Sequence, residues 1–340
     1  MKAKRSSKSS SSQRKEGITY ESNIGLSGVL DIPLDCSTAS SSMNIQVQEP
    51  DNFKLVYFDV ETTGLSNSDQ ICQIAAYDGV HEFSVYSVPT VAMKSKASAK
   101  TGLTVKRGEL YLHSKKLDTV SRKKMLEDFL CFLESLKGTD ESNTKIILIG
   151  HNVLRFDAKK IKQLAEEFNL YDNFCNIVYG YTDTLNIFKK LLPERKKKKL
   201  SYSEEAMVKE YLLFQNTDKL HDALEDIIVL KKLVEVLEIS DKLIIENCDS
   251  ISSIREKHIN KIITLKNKNS LLCLKGKISP NFISKMAKEG IDLEKLKEAY
   301  KKDQKDGIKI LLSMSVNNKV RVTSSQKCID IVQEIIKKML

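Results

Sequence analysis

The stretch LVYFDVETTGL, residues 55–65, sets two carboxylates inside an apolar run. Its β-rich, apolar first half has the character of a buried strand. Residues two apart in a strand point to one face, so Asp59 and Glu61 project side by side, whereas Val56, Phe58 and Val60 make an apolar opposite face. Two ionised carboxylates at that spacing repel each other and resist desolvation, so they need a compensating cation. A ligand set made only of oxygen suits the hard ions magnesium and manganese. Taken alone, the stretch also reads as an acidic strand end facing solvent.

The neighbouring patterns place this strand in a mixed sheet. QICQIAAYDG and EFSVYSV follow at hairpin-like spacing, then SRKKMLEDFLCFLESLK carries Met125, Phe129, Phe132, Leu133 and Leu136 at helical spacing behind a capping Ser121. TKIILIGHN is another strand, followed by the helix pattern DAKKIKQLAEEFN. YTDTLNIFKKLLPE predicts a helix that closes near Pro193, and KLHDALEDIIVLKKLVEVLE one with an apolar stripe of Ile227, Leu230, Leu233, Val234 and Leu237. A β-meander followed by alternating strands and helices predicts an α/β fold, a mixed sheet flanked by helices.

Two further acids fall at positions that could meet the first pair. Asp157 lies just past the strand 146–150, at the start of a helix, where the helix dipole favours an anion; an ordinary N-terminal Asp gives the same pattern. Asp226 lies in the first turns of the last helix of this region, behind Asp222 and Glu225, which are spaced as a capping box. Asp59, Glu61, Asp157 and Asp226, converging on one sheet edge, would suit two metals roughly 3.5–4 Å apart. His221 precedes that helix in what reads as a mobile loop, and an unperturbed imidazole, with a pKa of about 6.5, suits a general base. Asp183 in YTDTL reads as a structural hydrogen-bonding acid.

Together FDVETTGL, HNVLRFD and HDALED resemble, in order, the three exonuclease motifs of the DEDDh class of 3′→5′ exonucleases, a branch of the ribonuclease H-like fold. The resemblance covers about residues 53–240. It implies that Asp59, Glu61, Asp157 and Asp226 bind two Mg2+ ions, with Mn2+ as an alternative, and that His221 deprotonates the attacking water. KTGLTVKRGEL and the Lys-rich run before the third motif are similar to the three-prime repair exonucleases and to the exonuclease-like C-terminal region of promyelocytic leukaemia proteins. KEGIDLEKLKEAYKKDQKDGIKILLS and RVTSSQKCIDIV look like the helical tail of the latter group. No Pro-rich insertion like that of the repair exonucleases is present, and the zinc-binding modules of full-length leukaemia proteins have no counterpart. The seven cysteines, none closer than 25 residues to the next, offer neither a zinc-knuckle nor a redox-pair spacing.

By the same resemblance Thr62, Thr63, Gly64 and Leu65 would face the terminal nucleotide, with Asn152 as a further contact. Leu65 offers apolar surface to a base and Gly64 allows close backbone approach. The run 189–201 holds seven bases against one acid, and Lys196, Lys197 and Lys198 in it read as a flexible loop that grips phosphates by charge, as a solvated loop, or as a nuclear-localisation signal.

The net charge of +10 resides almost wholly in the C-terminal hundred residues. The expected organisation is a disordered Ser-rich tail over 1–50, an exonuclease domain over 51–240 and a small, basic, mostly helical module over 241–340. Ser279-Pro280, Asp292 and Ser324 or Ser325 mark helix starts in that module, and Gly290 a stop. The N-terminus lacks the apolar core of a signal peptide and no apolar run reaches a membrane span, which points to a nuclear or cytoplasmic protein. The expected partner is a nucleic acid with a 3′ end, single-stranded DNA before RNA; a homodimer is compatible with the sequence but does not follow from it. The competing expectation is a nucleic-acid-binding or scaffold protein that keeps the fold while its activity is silent.

Overall fold

The computed structural model describes residues 52–138, 143–212, 222–316 and 319–340; the expected Ser-rich tail lies outside them. The chain divides into two compact units, one ending at Asp249 and one covering Ser250–Leu340.

In the first unit, β1 (Asn52–Thr62), β2 (Ile71–Tyr77) and β3 (Glu82–Tyr86) form an antiparallel meander. Then α1 (Ser95–Thr101) leads into β4 (Leu103–Lys106), β5 (Glu109–Leu112) and β6 (Lys115–Lys116), a separate three-stranded sheet. After α2 (Arg122–Ser135), β7 (Thr144–Gly150) returns parallel to β1; α3 (Asp157–Glu167) and α4 (Tyr171–Ile177) then lead to β8 (Val178–Asp183), parallel to β7. Next come α5 (Thr184–Leu191), α6 (Pro193–Lys197), α7 (Glu204–Tyr211), α8 (Ala223–Val236), α9 (Asp241–Glu246) and β9 (Cys248–Ser250). The main sheet has the order β3-β2-β1-β7-β8-β9, so the mixed sheet is as expected and β1 lies inside it.

Helices cover both faces of β1. Phe58 is fully buried and stacks on Phe129 of α2, with ring centroids 5.5 Å apart. On the other face Tyr57 packs with Ile147 and Ile149 of β7, Phe188 of α5, and Ile227, Leu230 and Leu233 of α8. Each such side chain contributes about 1.5–3 kcal/mol on full burial, which fixes β1 between its helices and presents its C-terminal end at the sheet edge. Ser121 caps α2 as expected, its side chain accepting from the Lys124 N–H.

The first unit ends after Asp249 rather than at 240 because α9 belongs to its core. Ile244 is buried among the residues packed around Tyr57, and its carbonyl accepts the Thr182 hydroxyl at 2.9 Å.

The second unit contains α10 (Ile251–Ser270), a 3-10 turn at Leu271–Leu274, α11 (Pro280–Lys288), α12 (Leu293–Ser313), the short strands β10 (Ser315–Val316) and β11 (Lys319–Val320), and α13 (Gln326–Met339). Its core joins Leu271, Leu274, Met286, Leu296, Ile308, Leu312, Val332 and Ile336. Ser279 and Asp292 cap α11 and α12 through Phe282 N–H and Lys295 N–H, and Gly290 turns the chain between them at φ 70°. α12 is broken at Asp303 and Gln304, and beyond the break Gly307 lies so close to the Ala299 carbonyl oxygen that a Cβ there would stand 2.0 Å from it.

Candidate active site

The site is built at the end of β1, where the strand outruns its parallel neighbour. Pairing with β7 runs to Tyr57↔Ile149, and the β2 register shifts between Glu61 and Thr62, so the last residues of β1 leave the regular ladder. Asp59 and Glu61 project there, and α8 delivers Asp226 from the turn that also carries Ala223 and Ile227 into the core. Asp59, Glu61 and Asp226 each offer an oxygen, and the three oxygens lie within 4.8 Å of one another. Asp157, the first residue of α3, is buried beside them; its carboxylate receives the Val60 backbone N–H and its charge acts on Asp59.

These acids oppose one another's ionisation. Burial pushes the Asp59 carboxyl well above its ordinary range, and the charges of Asp157, Glu61, Asp226 and Glu204 raise it further. Burial also raises Glu61, with Asp226 adding to the effect and Lys100 opposing it. Asp157 is pushed up to about 8, chiefly by burial. Carboxylates held in this way fit a hard divalent cation, whose charge would reverse every one of those shifts.

The start of α8 is fixed by side chains from β2 and β3. Asp222 Oδ2 accepts from Tyr86 OH at 2.5 Å and from Gln73 Nε2 at 3.2 Å, while Asp222 Oδ1 caps the helix by accepting Leu224 N–H at 3.0 Å. Gln73 Oε1 accepts the Ala223 N–H at 3.2 Å. Asp222 is therefore structural, and it positions Asp226 one turn further on. His221 lies outside the described residues.

Several expected substrate contacts have other partners. Thr62 and Thr63 are buried, the Thr62 hydroxyl donating to Gly64 O at 2.8 Å and Thr63 Oγ1 accepting Gln70 N–H at 3.0 Å, so these side chains hold the loop's shape instead of facing a ligand. Gly64 is a place of close approach within the chain: a Cβ there would come 2.5 Å from Lys94 Cδ and 2.7 Å from Asp69 Oδ2. Leu65 is 48% exposed and available to a ligand. Asn152 takes a left-handed φ of 61° and donates its backbone N–H to Asp183 Oδ1 at 2.9 Å; Asp183 also caps α5.

The basic run departs from the expected flexible loop. Its residues form the end of α5 and the short helix α6, and Arg195 is buried beneath it, donating to Ser201 O and pairing with Glu210 of α7. Lys196, Lys197 and Lys198 remain exposed on this anchored turn. Sequence reasoning missed Arg195, whose guanidinium also faces the rings of Tyr202 and Tyr211 at 5.7 Å each, and it missed Lys160. The Lys160 ammonium donates to the carbonyls of Ser66, Asn67 and Asp69 at 2.7, 3.2 and 2.6 Å and so ties the loop after β1 to α3. Nothing in the local pattern of either basic residue marks it as buried.

Comparison with known proteins bears on this arrangement. Residues 53–212 match the Exuperantia RNAse H-like domain. With the mixed sheet described above, this makes the first unit's fold ribonuclease H-like, as the three motifs implied. Residues 267–339 match the PML C-terminal domain, in keeping with the resemblance of the tail. This chain is 27% identical over 181 residues to maternal protein exuperantia of Drosophila virilis, a match covering 51% of this chain and 37% of that protein. For maternal protein exuperantia of Drosophila melanogaster the identity is 29% over 159 residues, covering 44% of this chain and 30% of the relative. The match thus spans about a third of these relatives' length. Among solved structures, E. coli exonuclease I in complex with a 5cy-dA13 oligonucleotide aligns at 18% identity and a TM-score of 0.41, covering 65% of this chain and 45% of that one. Exonuclease X in complex with 5′ overhanging duplex DNA aligns at 18% identity and a TM-score of 0.35, covering 56% and 96%. Among the described residues no helix is long and apolar enough to cross a membrane.

Proposed function

We propose that this chain is a metal-dependent 3′→5′ exonuclease that hydrolyses the phosphodiester bonds of DNA, single-stranded before duplex, or of RNA, and releases nucleoside 5′-monophosphates. The observation that carries this reading is the meeting of Asp59, Glu61 and Asp226 within 4.8 Å at the end of β1, with Asp157 buried alongside. The four acids would hold two divalent cations, Mg2+ or Mn2+. Bound there, such ions supply Lewis acidity toward the phosphate and lower the pKa of a water. His221, five residues before Asp226, would serve as the general base that takes a proton from the attacking water. Leu65 meets the terminal base, and Lys196, Lys197 and Lys198 draw the phosphate backbone toward the site by charge. The three regions are a tail over 1–50, the exonuclease domain and the basic helical module, in a protein acting in the nucleus or the cytoplasm.

Asp226→Asn should abolish Mg2+-dependent nucleotide release from a 3′-labelled single strand, and His221→Ala should slow it by roughly 10²–10⁴-fold while leaving Mn2+ binding intact. Undiminished release by Asp226→Asn would refute the proposal. A second reading, binding without turnover, is favoured by the +9 charge of residues 241–340. It requires salt-sensitive binding, lost when that module is removed, with no product release by the wild-type protein.

A further inference from the structure

Glu204 stands apart from the acids that the motifs single out. It is the first residue of α7, and its neighbour Glu205 pairs with Lys209 one turn along the exposed face at 2.7 Å. Glu204 instead turns inward: its Oε1 is buried with no hydrogen-bond partner. The charges that act on it most are those of Asp226 and Asp157, with Lys100 of α1 the opposing cation between them in weight. A carboxylate with one oxygen shut off from water and bonded to nothing, beside two other carboxylates, is in the wrong place unless a cation joins it.

The position is fixed by packing. Met207 and Val208 of α7 are buried, Met207 in the core shared with α8, and Glu210 at the far end of the helix pairs with the buried Arg195. These anchors set the rotation of α7 about its axis and point Glu204 at the acids. Asp59, the acid that feels all the others, also feels Glu204. Asp59, Glu61 and Asp226 make a compact triad that suits one ion. Asp157 and Glu204 lie outside that triad yet within electrostatic reach of its members, a placement that suits a second ion.

We infer that Glu204 is a fifth carboxylate ligand of the divalent-cation site, serving with Asp157 the ion that the Asp59, Glu61 and Asp226 triad does not hold. The inference rests on the proposed metal site and adds a residue to it from an element outside the three motifs. It also accounts for the placement of α7 shortly after the basic turn of α6. The segment that carries the exposed lysines and the segment that completes the metal site are joined through the Arg195–Glu210 pair.

The test is Mn2+ binding to the full chain, followed by the loss of the free-ion paramagnetic resonance signal and by calorimetry, for wild type, Glu204→Gln and Asp226→Asn. Removing a ligand should cost no less than the roughly 10–100-fold in affinity that is usual for loss of an outer partner. Glu204→Gln is therefore expected to weaken the weaker of two Mn2+ sites by at least that factor and to leave the tighter within about threefold. In EDTA the same variant should melt at or above the wild-type temperature, because an amide removes a carboxyl group whose oxygen Oε1 is buried without a hydrogen-bond partner beside other acids. Unchanged Mn2+ affinities in Glu204→Gln, with binding lost in Asp226→Asn, would overturn the role of Glu204 and leave the triad standing. Absence of Mn2+ binding by the wild type would overturn the metal site as a whole. A fall in melting temperature in EDTA would make Glu204 a structural residue and overturn the inference as well.

Discussion

Asp157→Asn should make the metal-free protein more stable at pH 8 and leave its stability unchanged near pH 4. Burial is the main reason that the Asp157 carboxyl is pushed from 3.8 up to about 8, with its own and the Val60 N–H groups working against the shift and the charge of Asp183 adding to it. The unfolded chain releases this proton near pH 3.9, so between about pH 4 and pH 8 the folded state keeps a proton that the unfolded state has lost. The stability contributed by protonated Asp157 is complete below about pH 4 and is lost as the pH rises through about 8. About four units at roughly 1.36 kcal/mol each set a ceiling of about 5–6 kcal/mol. Because Asp59, Glu61 and Glu204 share the same region and redistribute protons among themselves, the expected difference at pH 8 is about 2–4 kcal/mol. Urea denaturation followed by circular dichroism, in EDTA at pH 4.5, 6 and 8, measures it. The advantage of Asp157→Asn should grow steadily with pH, and saturating Mn2+ should reverse it at pH 8. A difference that is flat with pH, or a variant less stable than wild type at pH 8 in EDTA, would refute the burial argument.

Two further outcomes concern parts of the scaffold. Lys160→Met keeps the aliphatic stem but strips three loop carbonyls of their donor, and it should cost about 2–3 kcal/mol in thermal or urea denaturation; if the loop positions substrate, KM should rise more than kcat falls. An unchanged melting temperature would show that water replaces the ammonium. Gly307→Ala drives a methyl against the Ala299 carbonyl oxygen, a backbone atom that cannot swing aside, and it should destabilise the second unit by about 2–4 kcal/mol; hydrogen exchange in α12 and α13 should report the loss.

The fold and the candidate site were legible to different depths. β1 could be read from its sequence because its apolar run and the two-residue spacing of Asp59 and Glu61 both reflect local strand geometry. Asp226 was equally legible, since the Asp222 cap fixes where α8 begins and hence which residue falls one turn inside it. Glu204 was not, because an acid in the first turn of an amphipathic helix has an ordinary explanation in the helix dipole, and only the packing of Met207 and the Arg195 pair turns it inward. The buried Arg195 likewise looks like one more base in a basic run, which is why that run was expected as a flexible loop. Thr62 and Thr63 lie beside the acids in sequence, yet the loop's own hydrogen bonds consume their side chains. The β4-β5-β6 sheet escaped notice because its strands, at most four residues long, are too short to set up a readable alternation.

The most direct measurement is the product pattern of the wild-type protein on a 5′-labelled single-stranded DNA, with Mg2+ and with EDTA. The account predicts a ladder that shortens one nucleotide at a time from the 3′ end, with nucleoside 5′-monophosphates as the released product, in Mg2+ only. A strand left at full length in Mg2+ by protein that binds Mn2+ and the DNA, or cut internally, would contradict it.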